Sequence, residues 1–340
     1  MIPKPETPRQ TAPWQRALLD GYSQPQALLE ALGIDPAEAP LARGGVRDFP
    51  LRVPRSYVSR MRRGDPRDPL FLQVWPQALE DQGNSGLPTD AVGDLARSRG
   101  GGLIHKYQGR ALLIATGACA VHCRYCFRRH FPYAEHLAAR AQWQAALDLI
   151  REDASLTEVI LSGGDPLSLS DAKLAALVAA LDDIPHLQRL RLHTRQPVVL
   201  PERVDEALLA WLGRSRLRTV IVLHINHAQE IDAPLAAALQ RLRGSGAQLL
   251  NQSVLLRGVN DRVEVLKDLS EKLFANGVLP YYLHLMDQVP GVLHYDVSER
   301  EGVSLMTELS AQLPGYLVPR LVREIAGQPA KTVISLPAPP

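Results

Sequence analysis

Between residues 112 and 285, short apolar runs of strand length alternate with longer stretches whose apolar positions recur every three or four residues. Six runs read as strands, at 112–116, 158–161, 189–193, 219–224, 248–254 and 280–285. The helical period holds over 171–181, 234–243 and 263–274. Gly244 and Gly277 follow two of these helices as expected C-caps, and Ser298-x-x-Glu301 reads as a capping box opening the last helix. Strand and helix in regular alternation predict βα units around a parallel sheet. The expected fold is α/β, a partial (β/α)6 barrel over residues 96–313, whose gap could admit a large substrate or a protein. Residues 1–95 read as an accessory helical layer, with pieces at 14–32 and 57–63 and a loop from 81 to 102. Residues 314–340 form a short final segment with a Pro-rich tail.

Polar residues cluster where these strands end, which in barrels is the face that carries the active site. The run Cys119-Ala-Val-His-Cys123-Arg-Tyr-Cys126 follows the first strand, Ser162-Gly-Gly-Asp165-Pro166 the second and Thr194-Arg195 the third. His224-Ile-Asn226-His227 closes the fourth, Asn251-Gln252-Ser253 lies within the fifth, and His284 and Asp287 mark the end of the sixth. Six loops are thus expected around one mouth.

Composition narrows the class. With 46% hydrophobic residues in 340, the chain can bury a large core. Its net charge is +2, and the 38 basic residues comprise 32 arginines and 6 lysines, with no basic run that argues for nucleic acid. The polar, proline-rich start Met1-Ile-Pro-Lys-Pro-Glu-Thr-Pro has no apolar segment behind it, so neither a signal peptide nor a membrane span is expected. A soluble, cytoplasmic protein is the expectation.

All three cysteines fall in that one C-x3-C-x2-C run. An odd, clustered set argues against a disulfide scaffold. Three thiolates can hold three irons of a [4Fe–4S] cube and leave the fourth iron open. Two plainer readings stand beside this one: a zinc site completed by His122 or His130, and three unrelated core thiols. The spacing resembles that of radical S-adenosylmethionine (SAM) enzymes, in which the cofactor chelates the open iron and is split to a 5′-deoxyadenosyl radical. Gly163-Gly164-Asp165-Pro166 is by itself an ordinary turn. One βα unit after the cysteines, it resembles the glycine motif that receives SAM in such enzymes.

A wider resemblance rests on Leu103-Ile-His105-Lys106-Tyr107-x2-Arg110, Cys123-Arg-Tyr-Cys-Phe-Arg128-Arg129, Ser162-Gly-Gly-Asp-Pro-Leu, His193-Thr-Arg195, Asn251-Gln-Ser-Val-Leu-Leu-Arg-Gly-Val-Asn260 and Pro280-Tyr-Tyr-Leu. Together these resemble the lysine 2,3-aminomutase family over roughly residues 50–335. The resemblance implies pyridoxal phosphate (PLP) beside SAM and the cluster, with Lys331 holding the aldehyde as a Schiff base and Arg110 gripping the phosphate. It implies Arg128 on the substrate carboxylate and Asp287 on the distal ammonium of L-lysine. The family's second aspartate, seven residues before the PLP lysine, is here Glu324. Gln252, with His105, Asn226 and Asn251, is a further candidate for cofactor contact, equally suited to satisfying loop backbone.

The glycine tract before Lys331 is thinned to Gly-Gln-Pro-Ala, and the long C-terminal extension of the clostridial enzymes is missing. These departures and the loop ending Arg128-Arg-His-Phe-Pro-Tyr133 resemble the branch that makes (R)-β-lysine for elongation factor P. That implies a functional link to this factor and its lysyl ligase, and an electron donor such as a flavodoxin or ferredoxin. A catabolic aminomutase releasing free β-lysine and a non-catalytic iron–sulfur electron-transfer or sensor protein are the alternatives.

Overall fold

A computed structural model describes residues 11–82, 86–136 and 140–336. Its centre is a nine-stranded sheet in chain order: β1 (Leu103–Tyr107), β2 (Arg110–Thr116), β3 (Glu158–Gly163), β4 (Arg189–Thr194), β5 (Arg218–Leu223), β6 (Gln248–Val254), β7 (Leu279–His284), β8 (Arg320–Arg323) and β9 (Thr332–Val333). β2 through β8 are parallel, while β1 and β9 pair antiparallel on the two edges. The six expected strands are β2 to β7. Three more extend the sheet, and it does not close on itself.

Alternation along each strand separates two environments, because successive side chains point to opposite faces. In β4, Leu190 and Leu192 are buried and belong to the main hydrophobic core, together with Leu174, Leu177 and Leu181 of the helix Asp171–Asp182 and Leu208 and Trp211 of the helix Glu206–Arg214. The intervening Arg189, Arg191 and His193 are half-buried on the other face. Apolar residues thus pack outward against the helices, and the inside of the barrel is left polar. A packed barrel core is normally branched and aliphatic; this interior is built to surround something polar.

The helix Val263–Ala275 ends on Asn276 with Gly277 left-handed at φ 73°, as expected of a C-cap. Gly244 instead lies inside the helix Ala233–Gly244, and the left-handed position is taken by Gly246. Ser298 and Glu301 form the expected capping box on the helix Glu299–Gln312. In the N-terminal layer, the helix expected over 14–32 is split into Pro13–Leu19 and Pro25–Leu32. The break exists because Tyr22 and Val53 exchange backbone hydrogen bonds, and a Cβ on Gly21 would stand 2.8 Å from the Val53 carbonyl oxygen. The helix expected over 57–63 is a single turn, Arg55–Val58. This layer has its own core of Trp14, Leu28, Tyr57, Phe71 and Trp75, which packs on Ala120 and Val121 of the cysteine loop.

Candidate active site

The cysteine loop leaves β2 and is held from two sides. From the N-terminal layer, the Gln73 carbonyl accepts the Arg124 N–H (2.9 Å) and the Arg52 carbonyl accepts the His122 N–H (3.0 Å). From the barrel, Gly164 N–H donates to Thr116 O (2.6 Å) and Asp165 N–H to Ala118 O (2.8 Å). This approach is why both glycines are needed. A Cβ on Gly163 would lie 2.6 Å from Thr116 O, at a φ of +113°, and one on Gly164 would lie 2.5 Å from Ala118 O. The Asp165 carboxylate does not face outward. It accepts Thr194 Oγ1–H (2.7 Å) and the backbone N–H groups of Arg195 (2.7 Å), Gln196 (2.8 Å) and Leu167 (3.0 Å), tying the glycine turn to the end of β4.

All three thiols are free. Burial, then the Asp165 charge and the other two thiols, pushes Cys119 well up, and burial, then Cys123, pushes Cys126 up to about 11; bound iron reverses such a shift. The zinc reading fares poorly. His122 Nδ1 faces the Pro50 carbonyl (2.8 Å) and His130 Nε2 that of Pro290 (3.0 Å), and no three described His, Cys, Asp or Glu side chains converge tightly enough for one metal ion.

Inside the mouth runs a continuous row of charges. Arg128 donates through Nε and Nη2 to Asp94 Oδ2 (2.9 and 2.8 Å) and through Nη1 to Ser162 Oγ (3.1 Å). Lys106 Nζ bridges Asp94 Oδ1 and Glu324 Oε1, each at 2.7 Å. Tyr107 Oη donates to the same Glu324 oxygen (3.0 Å), and Lys331 Nζ donates to Glu324 Oε2 (2.5 Å). Burial alone would raise Asp94 and Glu324, yet Arg128 with Lys106, and Lys331 with Lys106, hold them below the carboxylate range. Asp287, on the segment leaving β7, is the opposite case: burial, and then the Glu324 charge, push it up to about 7.

The β8–β9 hairpin explains how Lys331 arrives there. Val322 pairs with Val333 and Arg323 with Thr332, so the chain reverses between Glu324 and Lys331 and sets the two side by side. Lower in the barrel, Arg110 stacks over Tyr107 (4.6 Å) and is felt by Tyr281. Arg191, two strands away on β4, is neutralised by Glu158 at 2.6 Å; Arg110 has no ion-pair partner among the described residues.

A profile described as the Radical SAM superfamily matches residues 113–270. The L-lysine 2,3-aminomutase of Escherichia coli (strain K12) is 48% identical over 324 residues, 95% of this chain and 94% of that one. That of Haemophilus influenzae is 46% identical over 333 residues, 98% of each chain. The chain belongs to the lysine 2,3-aminomutase family. A more distant member, from Clostridium subterminale, is 35% identical over 290 residues, 85% of this chain and 70% of that one.

Membership makes this chain an isomerase of the radical SAM type, and that type implies a [4Fe–4S] cluster and SAM. The residues present fit. Three free thiols lie on one braced loop, and the barrel interior holds two buried imidazole nitrogens without partners, His193 Nε2 and His284 Nε2. Burial keeps both rings neutral, so they offer polar contact without charge.

Of the weaker candidates, Asn251 donates to the Ile225 carbonyl and accepts its N–H, and Asn226 accepts the Val254 N–H and donates to Tyr125 and Gln73. Both satisfy loop and network groups. His105 faces Asp153 at 3.8 Å. Gln252 remains beside Tyr282 across the β6–β7 ladder. Asp94 and Lys106 were not legible as site residues, since nothing in their spacing links them to residues 128 and 324.

Proposed function

We propose that this chain converts L-α-lysine to (R)-β-lysine with PLP as its third cofactor, and that the β-lysine serves modification of elongation factor P. The observation that carries the reading is the row of charges, with an arginine at one end, two carboxylates at the other and Lys331 beside them. Lys331 would hold the pyridoxal aldehyde and Arg110 the phosphate. When bound, that group delocalises an unpaired electron and so eases the shift of nitrogen between neighbouring carbons.

The chain's own part is binding and orientation. Arg128 offers the α-carboxylate two donors in one plane, the same pair it now gives to Asp94. Asp287, with Glu324, holds the ε-ammonium. Fixing both ends of a flexible substrate presents one β C–H bond to the radical source. Neutral His193 and His284 line the space between without adding a charge that would compete for either end.

The role in elongation factor P modification, with its lysyl ligase as the next enzyme and a flavodoxin or ferredoxin as electron donor, is supported by the form of the cysteine loop and by Glu324 where the family has aspartate. Anaerobic incubation of the reconstituted protein with L-lysine, SAM and a low-potential reductant should yield (R)-β-lysine on chiral analysis. Borohydride reduction in the presence of PLP should place the pyridoxyl mass on Lys331. Absence of β-lysine from a cluster-replete sample, or a label on Lys106 instead, overturns the reading. Loss of the β-lysyl mass from elongation factor P in cells lacking this protein separates that role from a catabolic one.

A further inference from the structure

Arg195 stands at the end of β4, and all but its Nε is engaged in a sealed pocket beneath the cysteine loop. Its Nη1 donates to Cys123 Sγ (2.9 Å) and Tyr125 Oη (2.5 Å); its Nη2 donates to Tyr57 Oη (2.9 Å), Gln73 Oε1 (2.7 Å) and Glu230 Oε2 (2.9 Å). Arg195 is 6% exposed and Glu230 fully buried. The other Glu230 oxygen accepts the N–H groups of Asn226 (2.8 Å) and His227 (3.1 Å). Asp165 holds the Arg195 backbone N–H from behind. A cation is thus aimed at one cysteine sulfur, with its counter-ion on its far side.

Burying an arginine is costly unless it is paired and hydrogen-bonded, and here a buried glutamate and four other acceptors hold the guanidinium in one orientation. Phosphate and carboxylate binding are poor explanations, because the fork is already filled by neutral acceptors and one glutamate. What distinguishes the pocket is the N–H···S contact. Electron density on a cluster's sulfurs is stabilised by hydrogen bonds and nearby positive charge, and these set the reduction potential. Low local dielectric enlarges the effect.

We infer that Arg195 is a positioning residue that sets the reduction potential of the cluster through Cys123, with Glu230 as the opposing charge that limits how far it is raised. This inference rests on the radical SAM cluster reading. If a cluster held by Cys123 took one electron from a low-potential carrier, no bond would need to break and no proton to move, because the guanidinium of Arg195 stays charged in both states. The N–H···S bond strengthens as the sulfur gains charge, so the reduced state gains more than the oxidised one. Glu230 acts in the opposite sense.

The test is an anaerobic redox titration of the reconstituted full-length protein, following the reduced-cluster signal by electron paramagnetic resonance, with iron and sulfide counted in every sample. Arg195→Gln should lower the reduced-to-oxidised ratio at a fixed potential about tenfold, equivalent to about 59 mV for one electron. Glu230→Gln should move it the opposite way. Tyr57→Phe removes a different bond from the same guanidinium and should leave the potential in place. Opposite shifts are not expected of mere loosening. Should Arg195→Gln fail to fold, the sign of the Glu230→Gln shift decides. Unchanged potentials in cluster-replete variants, or shifts of one sign in all three, overturn the role of Arg195. A wild-type sample that assembles no cluster overturns the cluster reading itself, and this inference with it.

Discussion

Asp287 and Glu324 both feel the charge of Lys331 yet are shifted in opposite directions. Glu324 is held ionised by Lys331 and Lys106, whereas burial and then the Glu324 charge raise Asp287 to about 7. A carboxyl raised in the folded state binds a proton that the unfolded chain has lost. Its contribution to stability therefore falls as pH rises from its unfolded value to about 7. Ligand binding has the reverse slope. If Asp287 takes the ε-ammonium as proposed, it must do so ionised, so lysine binding should expel a proton below pH 7, and affinity should weaken by about tenfold per unit there. Asp287→Asn should flatten that slope and cost about 1.5–3 kcal/mol, roughly ten- to a hundredfold in affinity. Lysine KM values between pH 6 and 8 check this; a slope that persists in the variant assigns the titration to another group. The positions of these carboxylates were legible in the sequence, but their unequal states were not. Those depend on burial and on how Lys331 and then Lys106 are shared, and Lys106 lies more than 200 residues from Glu324 in the chain but 2.7 Å from it in space.

At the scale of elements, the glycine turn works as a strut between β3 and the cysteine loop. Gly164→Ala would set its new methyl 2.5 Å from Ala118 O and 2.7 Å from Gly117 C, both backbone atoms with no side chain to swing aside. The expected cost is about 1–3 kcal/mol, as for other overpacked sites. Because the strain falls on the loop, iron per chain after reconstitution should drop while far-ultraviolet circular dichroism is kept. Full cluster content in Gly164→Ala would show that the loop has slack. The six central strands were legible because each has outward leucines or valines that must meet a helix. β1, β8 and β9 were not: β8 has only four residues and β9 only two, both exposed, too few to display a period. The cysteine and glycine spacings are local and could be read directly. The contact of Arg195 with Cys123 spans 72 residues and could not.

Across the whole molecule, the N-terminal layer supports the cysteine loop as much as it covers the barrel. Its Glu80 accepts from Arg124 (2.5 and 2.7 Å) and Arg129 (2.9 Å) in a site closed to water, and its Tyr57 and Gln73 reach Arg195. The sequence suggested a covering layer because its helices are short and broken; that its turns hold the loop follows only from the packing. On the opposite side the barrel wall has a cut. Among the described residues no ladder joins β1 to β9, and the gap that the sequence left open to a large ligand is spanned by Lys106 and Tyr107 reaching Glu324, close enough nearby that a Cβ on Gly93 would stand 3.1 Å from Ala326 Cβ. A tube laced along one side by charged side chains can unlace without breaking an amide hydrogen bond. Without that tie the edge strands are held only by their own ladders to β2 and β8, so Lys106→Met should let those ladders open more often, speeding amide exchange in β1 and β9 and leaving β3 to β6 as slow as before. Uniform exchange across all of them would mean that the wall opens as one piece. The same lacing ends on Arg128 and on Lys331, so a charged ligand that took hold of either would have to compete with a carboxylate of the seam for it, which makes the seam a filter for charge.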